Sequence, residues 1–179
     1  MYICYRKTII MNSAKTLYAI LNVIIILILI SIGLGIFVLA TTLFGIKQDF
    51  IGFSEDVLIY KTEAMLYRYT FFKLVVYAVF VVALWKLRKA TKLLLKNNFY
   101  NTELMRGMFD SGKLMVFSSV ALWVIDEVSN SFFKRHALLG LSEKTLVYLL
   151  IITMGLFLML MSTVLRDTKA MKEENDLTI

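Results

Sequence analysis

Two stretches of the chain carry no charged residue over a length that could cross a lipid bilayer: residues 16–46, 31 positions, and residues 145–165, 21 positions. A helix rising 1.5 Å per residue needs roughly 20 apolar residues for that crossing. Two further charge-free stretches, residues 74–85 and 114–125, are only 12 residues long. Each reaches spanning length once extended past its flanking charges. The first runs back through Lys73 to Tyr69, "YTFFKLVVYAVFVVALW", and the second forward through Asp126 and Glu127, "LMVFSSVALWVIDEVSNSFF". A model with two spans would leave this Phe, Val and Leu in water. The pattern therefore predicts an all-α integral membrane four-helix bundle, one domain over residues 1–179, with spans at 19–43, 69–85, 114–133 and 145–165.

The polar segments between the spans are not uniform. Residues 86–113, "KLRKATKLLLKNNFYNTELMRGMFDSGK", look helical at both ends and broken at "NNFYN", where Asn97, Asn98 and Asn101 favour a turn or cap. A helix is expected to restart at Thr102, with Glu103 placed favourably against its dipole. The tail, residues 166–179, extends the last span with Lys169, Lys172, Glu173, Glu174 and Asp176, then offers apolar Leu177 and Ile179 at its tip. Ser31 and Gly35 in the first span have the small-xxx-small spacing that lets helices approach closely.

Composition agrees with the pattern: 59% of residues are hydrophobic and the mean hydropathy is +0.75, against about 45–50% apolar residues in soluble domains. There is no proline, which argues against the broken mid-membrane helices of many carriers. The first apolar run is too long for the 7–15-residue core of a cleavable signal, so a retained anchor is expected. Met11 opens a second compact basic leader and is an alternative start.

Lys and Arg mark the cytoplasmic side of a membrane protein. With four spans, residues 1–18, the basic loop 86–113 and the tail share one side, which holds 13 of the 20 basic residues. Both termini are thus expected in the cytoplasm. The net charge of +7 follows from this bias. It suits anionic lipid headgroups at the 86–113 loop or an acidic partner, and no motif points to direct nucleic-acid binding. Homo-oligomerisation is left open.

Catalytic constellations are missing. Cys4 and His136 are the only cysteine and histidine, at opposite ends of the expected topology, and cannot build a zinc site. No phosphate loop, HExxH or GxSxG occurs, so neither enzyme activity nor a cofactor is expected. The sharpest chemistry is charge within the short spans. Lys73 and Asp126 each lie 12 residues from the inner ends of their spans, Trp85 and Leu114, about 18 Å up from the cytoplasmic boundary. Matched depth and opposite sign suggest an ion pair, with Glu127 as the alternative acceptor. Ser119, Asp126 and Asn130 share one helical face, within about 40°. This stripe reads either as a proton or ligand site, or as a structural pair near the outer interface with Lys73 snorkelling outward.

The ending "KEENDLTI", residues 172–179, and the step "LLK" before "NFYNTE", followed by Gly112 at the next span, resemble the bacterial membrane-protein family termed domain of unknown function 2975. The similarity is read from the first span to the last residue. The chain keeps Phe99 and Glu103, but has asparagines where glycine or proline is common in that turn. The resemblance implies four membrane helices, cytoplasmic termini, a bacterial inner membrane and a small helix-turn-helix transcription regulator as partner. Two functions follow as expectations. One is a non-enzymatic partner that tethers or modulates such a regulator through Phe99, Glu103 and the tail residues Lys172, Glu173, Glu174, Asp176, Leu177 and Ile179. The other is a small transporter or proton-responsive sensor built on Lys73, Asp126 and Glu127.

Overall fold

A computed structural model describes residues 2–43, 63–95, 101–133 and 143–177. These form four helices: α1 (Tyr2–Leu43), α2 (Glu63–Leu95), α3 (Thr102–Phe133) and α4 (Glu143–Leu177). With no proline in the chain nothing forces a break in the backbone ladder, and the helices reach 42, 33, 32 and 35 residues. At 1.5 Å per residue they measure about 48–63 Å, well over the ~30 Å of a hydrocarbon core. All four are long and apolar enough to cross a membrane.

The helices outrun the spans drawn from hydropathy. Residues 2–18, expected only as a leader, are the first turns of α1, and α2 starts at Glu63, six residues ahead of the expected span. The basic loop 86–113 is largely helix, divided between the end of α2 and the start of α3. There the Asn101 side chain accepts a hydrogen bond from the Glu103 backbone N–H at 2.9 Å, satisfying one of the orphan donors of a helix start. Hydropathy marks where a helix is apolar, whereas helix formation continues through the Lys, Leu, Glu and Met that flank these spans.

Each helix packs on its neighbour in sequence, α1 on α2, α2 on α3 and α3 on α4, in antiparallel fashion. Between α1 and α2, Leu21, Ile25 and Leu84 form a small core flanked by Ile28, Phe80 and Leu87. A Cβ on Gly35 would come within 3.0 Å of the Leu74 side chain, so the expected close approach is made at Gly35. Between α2 and α3, Gly107 faces Ala90, and Lys86 pairs with Asp110 at 2.9 Å.

The α3–α4 seam is the tightest. Ser162 donates to the Met105 carbonyl at 2.7 Å, and Ser119 donates to the Tyr148 carbonyl at 2.8 Å. Midway, Gly112 and Gly155 face each other: a Cβ on Gly112 would lie 2.5 Å from the Gly155 carbonyl oxygen, and one on Gly155 2.8 Å from that of Gly112. Every step of seven residues along α3 is matched by seven back along α4, so the three contacts lie on one line. Small residues permit this backbone approach, and the hydroxyls bridge it with hydrogen bonds.

The apolar core is small, and the outer surface is as apolar as the inside while several serines are fully buried. Ser111, Ser118 and Ser119 are at most 1% exposed, while Leu27, Leu34 and Leu150 are at least 60% exposed. Ser111 and Ser118 donate back to the carbonyls of Met108 and Met115 in their own helix, so these hydroxyls are satisfied within α3.

Gly112→Ala is expected to force α3 and α4 apart and to cost on the order of 1–3 kcal/mol, the range of an overpacked contact. Gly33→Ala, with nothing within 4 Å of the added Cβ, serves as the control. Thermal unfolding of both variants in mild detergent checks this; equal midpoints would show that the glycine contact does not set the packing.

Candidate functional site

Three helices bring polar groups together toward one end of the bundle. On α2, Tyr69, Lys73 and Tyr77 are spaced by four and fall on one face. On α3, Asp126 continues the line of Met105, Gly112 and Ser119 that faces α4. On α4, Tyr148 sits two turns from Gly155.

Asp126 is the centre. Its Oδ1 lies 2.8 Å from Lys73 Nζ and accepts the Tyr69 hydroxyl at 2.7 Å; its Oδ2 accepts the Tyr148 hydroxyl at 2.5 Å. One carboxylate thus has an ammonium and two phenols in place of water. The side chains of Lys73 and Asp126 are 21% and 10% exposed. At that burial, desolvation is offset only where further hydrogen bonds occupy the remaining lone pairs, and both phenols do so. Lys73 also sits over the Tyr69 ring, 4.5 Å from its centroid, which adds a cation–π attraction. Tyr148 is held at both ends, its carbonyl by Ser119 and its hydroxyl by Asp126.

The structure brings Lys73 and Asp126 together and leaves Glu127 outside the pair. Glu127 is the next residue on α3, turned about 100° away, and is half-buried. Lys73 is directed to Asp126 rather than outward to an interface. Of the polar stripe, Ser119 serves the α3–α4 seam, and the side chain of Asn130 lies outside the described residues. Tyr69 and Tyr148 were not singled out from sequence. Tyr69 carries a signal, its i,i+4 spacing from Lys73. Tyr148 lies in the charge-free run 145–165, where a tyrosine reads as an ordinary interfacial aromatic.

Beside the cluster lies a half-open cavity of ≈460 Å³ lined by all four helices, with Lys73, Asp126 and Tyr148 among its walls. Ser31 of α1 also lines it. Among the described residues no three His, Cys, Asp or Glu side chains gather where a metal ion could be held.

The residues expected to bind a partner lie at the other end. Glu103 is exposed at the start of α3, and Lys172, Glu173, Glu174 and Asp176 are exposed on the last turns of α4. Leu177 is the last helical residue, and Phe99 and Ile179 lie outside the described residues. In the α3–α4 register, α3 starts beside Leu165. The following turns of α4, about 18 Å of helix, run past it with almost every side chain exposed. Lys169 and Glu173 form an i,i+4 pair at 3.6 Å along this segment.

A family model described as a protein of unknown function, DUF2975, matches residues 53–179. The chain belongs to the DUF2975 family. The match takes in α2, α3 and α4, hence Lys73, Asp126, Tyr148 and the tail, and begins beyond α1, so the likeness is narrower than the span-one start read from sequence. No curated protein and no solved structure matches the chain.

Removing one partner of the buried pair leaves the other charge without its counterion, a loss on the order of 3 kcal/mol. Asp126→Asn, which keeps acceptor and size for the two phenols, is expected to lower stability by about that much, and Lys73→Met combined with Asp126→Asn to recover part of it. A double-mutant cycle on unfolding in detergent measures the coupling; additive losses would mean that the pair contributes nothing as a pair.

Proposed function

We propose that this is a non-enzymatic, multi-pass protein of the bacterial inner membrane, with both termini in the cytoplasm, that tethers or modulates a small cytoplasmic helix-turn-helix transcription regulator. The observation that carries the docking role is the exposed, charged end of α4. Its last turns, bearing Lys169, Lys172, Glu173, Glu174 and Asp176, run past the start of α3 with almost every side chain exposed, and so present a charged surface for a partner. Glu103 at the start of α3 lies on the same side of the bundle.

Membrane placement is supported by the many large apolar side chains exposed on the outer faces of the helices. An outer surface rich in Leu, Ile and Phe, with small and hydroxyl residues at the α3–α4 contact, suits a chain whose surroundings are hydrocarbon. Orientation is supported by the 13 of 20 basic residues that fall on the side of the termini and the 86–113 segment. Lys86, Arg88, Lys89 and Lys92 at the end of α2 suit anionic headgroups, and the regulator rather than this chain would contact nucleic acid.

Deleting residues 172–179 is expected to abolish recovery of a small DNA-binding protein in pull-downs from native membranes, with insertion unchanged. In a Cys4→Ser background, Glu174→Cys should react with an impermeant thiol reagent only after the cytoplasmic face is opened. Equal recovery with and without the tail would remove its docking role, and labelling in intact cells would reverse the orientation.

A second reading is favoured by the Asp126 cluster: a small transporter or proton-responsive sensor. A carboxylate, an ammonium and two phenols beside a cavity form a set of groups among which a proton can move. Tyr148→Phe removes one hydrogen bond and keeps the ring, and on this reading it shifts the pH response of proton uptake in proteoliposomes. A variant altered in thermal midpoint alone would make the cluster a structural brace.

A further inference from the structure

The cavity beside Asp126 has a polar end and an apolar end, and the division follows the helix axes. Lys144, Lys73, Asp126 and Tyr148 lie toward the end where α4 begins; Ile28, Phe80, Leu122 and Ile151 lie deeper in the bundle. Its ≈460 Å³ falls within the range of small-molecule sites, about 300–1,000 Å³. α1 packs on α2 and α4 on α3, so the walls that α1 and α4 supply are held apart by the two central helices.

The polar end is unbalanced in charge. Asp126 is occupied by Lys73, Tyr69 and Tyr148. Lys73 has three N–H donors, of which Asp126 takes one. Lys144 is exposed on the first turn of α4 and brings a second ammonium to the lining. Among the described lining residues, two ammonium groups face one carboxylate, which leaves a net positive charge and surplus donors. Tyr77, half-buried in the same wall, adds a hydroxyl.

From this geometry we infer that the cavity binds a single-chain amphiphile with an anionic headgroup, the head at Lys144 and Lys73 and the tail against Phe80, Leu122 and Ile151. A cation is disfavoured by the two lysines, and a fully polar solute by the apolar floor. On the proposed topology the head lies toward the outer leaflet. The inference rests on the membrane placement and not on the docking role of the tail, so either can fail without the other.

The test uses the full chain in phosphatidylcholine nanodiscs with a photoreactive analogue of laurate, cross-links being located by peptide mass spectrometry. Cross-links are expected at the cavity walls of α1, α2 and α4, suppressed by excess laurate or lysophosphatidylglycerol and not by dodecyltrimethylammonium. Suppression by laurate alone would point to a free fatty acid, and suppression by both to recognition of an anionic head on either source. Lys144→Gln, an exposed change that leaves the core intact, should weaken labelling roughly threefold, the scale of one exposed charge contact. Ile32→Trp, which fills the cavity from α1, should abolish it. Circular dichroism and gel filtration of both variants establish that they are folded. Labelling spread over the outward faces of α1 and α4, unchanged in both folded variants, would identify bulk lipid and overturn the inference, as would equal competition by the cationic amphiphile.

Discussion

The bundle depends on how closely α3 and α4 approach at Gly112 and Gly155. With each glycine's missing Cβ position lying against the other's carbonyl, the helix separation at that point is fixed by backbone and not by side chains. Everything else on the seam follows from the distance. Ser162 and Ser119 have short side chains and reach the opposite backbone only because the axes are close. The same register brings the Tyr148 hydroxyl to Asp126. Moving α4 by one residue along α3 would rotate its serine and tyrosine by about 100°, removing both hydroxyl bridges and one donor to the carboxylate.

The division of labour among the helices follows. In its most apolar stretch α3 is 33% buried, against 11% for α2 and α4 and 6% for α1, so α3 is the hub on which α2 and α4 are laid. Its buried positions mix large apolar residues, Leu104, Met105, Met115 and Leu122, with Gly112 and the serines 111, 118 and 119, and the small residues are the ones that let α4 approach. A chain built this way gains little from excluding water between helices and relies on contact distance and hydrogen bonds. It also explains how an ion pair is tolerated at Lys73 and Asp126: two phenols from different helices complete the coordination of the carboxylate.

Hydropathy made the number of helices legible, because long charge-free runs admit few alternatives, and Asn101 with Glu103 located the start of α3. The ends were less legible. Residues such as Lys92, Leu95 and Lys172 form helix equally well on either side of a membrane boundary, so span length and helix length diverge. Lys73 and Asp126 could be picked out because charge is rare in such segments. The seven-residue line through Met105, Gly112, Ser119 and Asp126 was present in the sequence, but a partner helix is needed to see which of its members meet Tyr148, Gly155 and Ser162. Glu127 shows the limit of reasoning from depth alone. It sits as deep as Asp126, and only the rotation of α3 decides between them.

α4 runs from Tyr148 to Leu177 without a break, and Gly155, its one glycine, is clamped against α3. That makes it a stiff rod about 44 Å long, seated on α3 from Tyr148 to Ser162 and exposed along its last turns. Because the seam holds it at Tyr148, Gly155 and Ser162, only the roughly 22 Å beyond Ser162 can lean, and a tilt of about 5° there moves the tip by about 2 Å. The exposed charged turns and the Asp126 cluster therefore belong to one unbroken rod, and the contacts that seat Tyr148 beside the carboxylate also set where Lys172 and Asp176 stand.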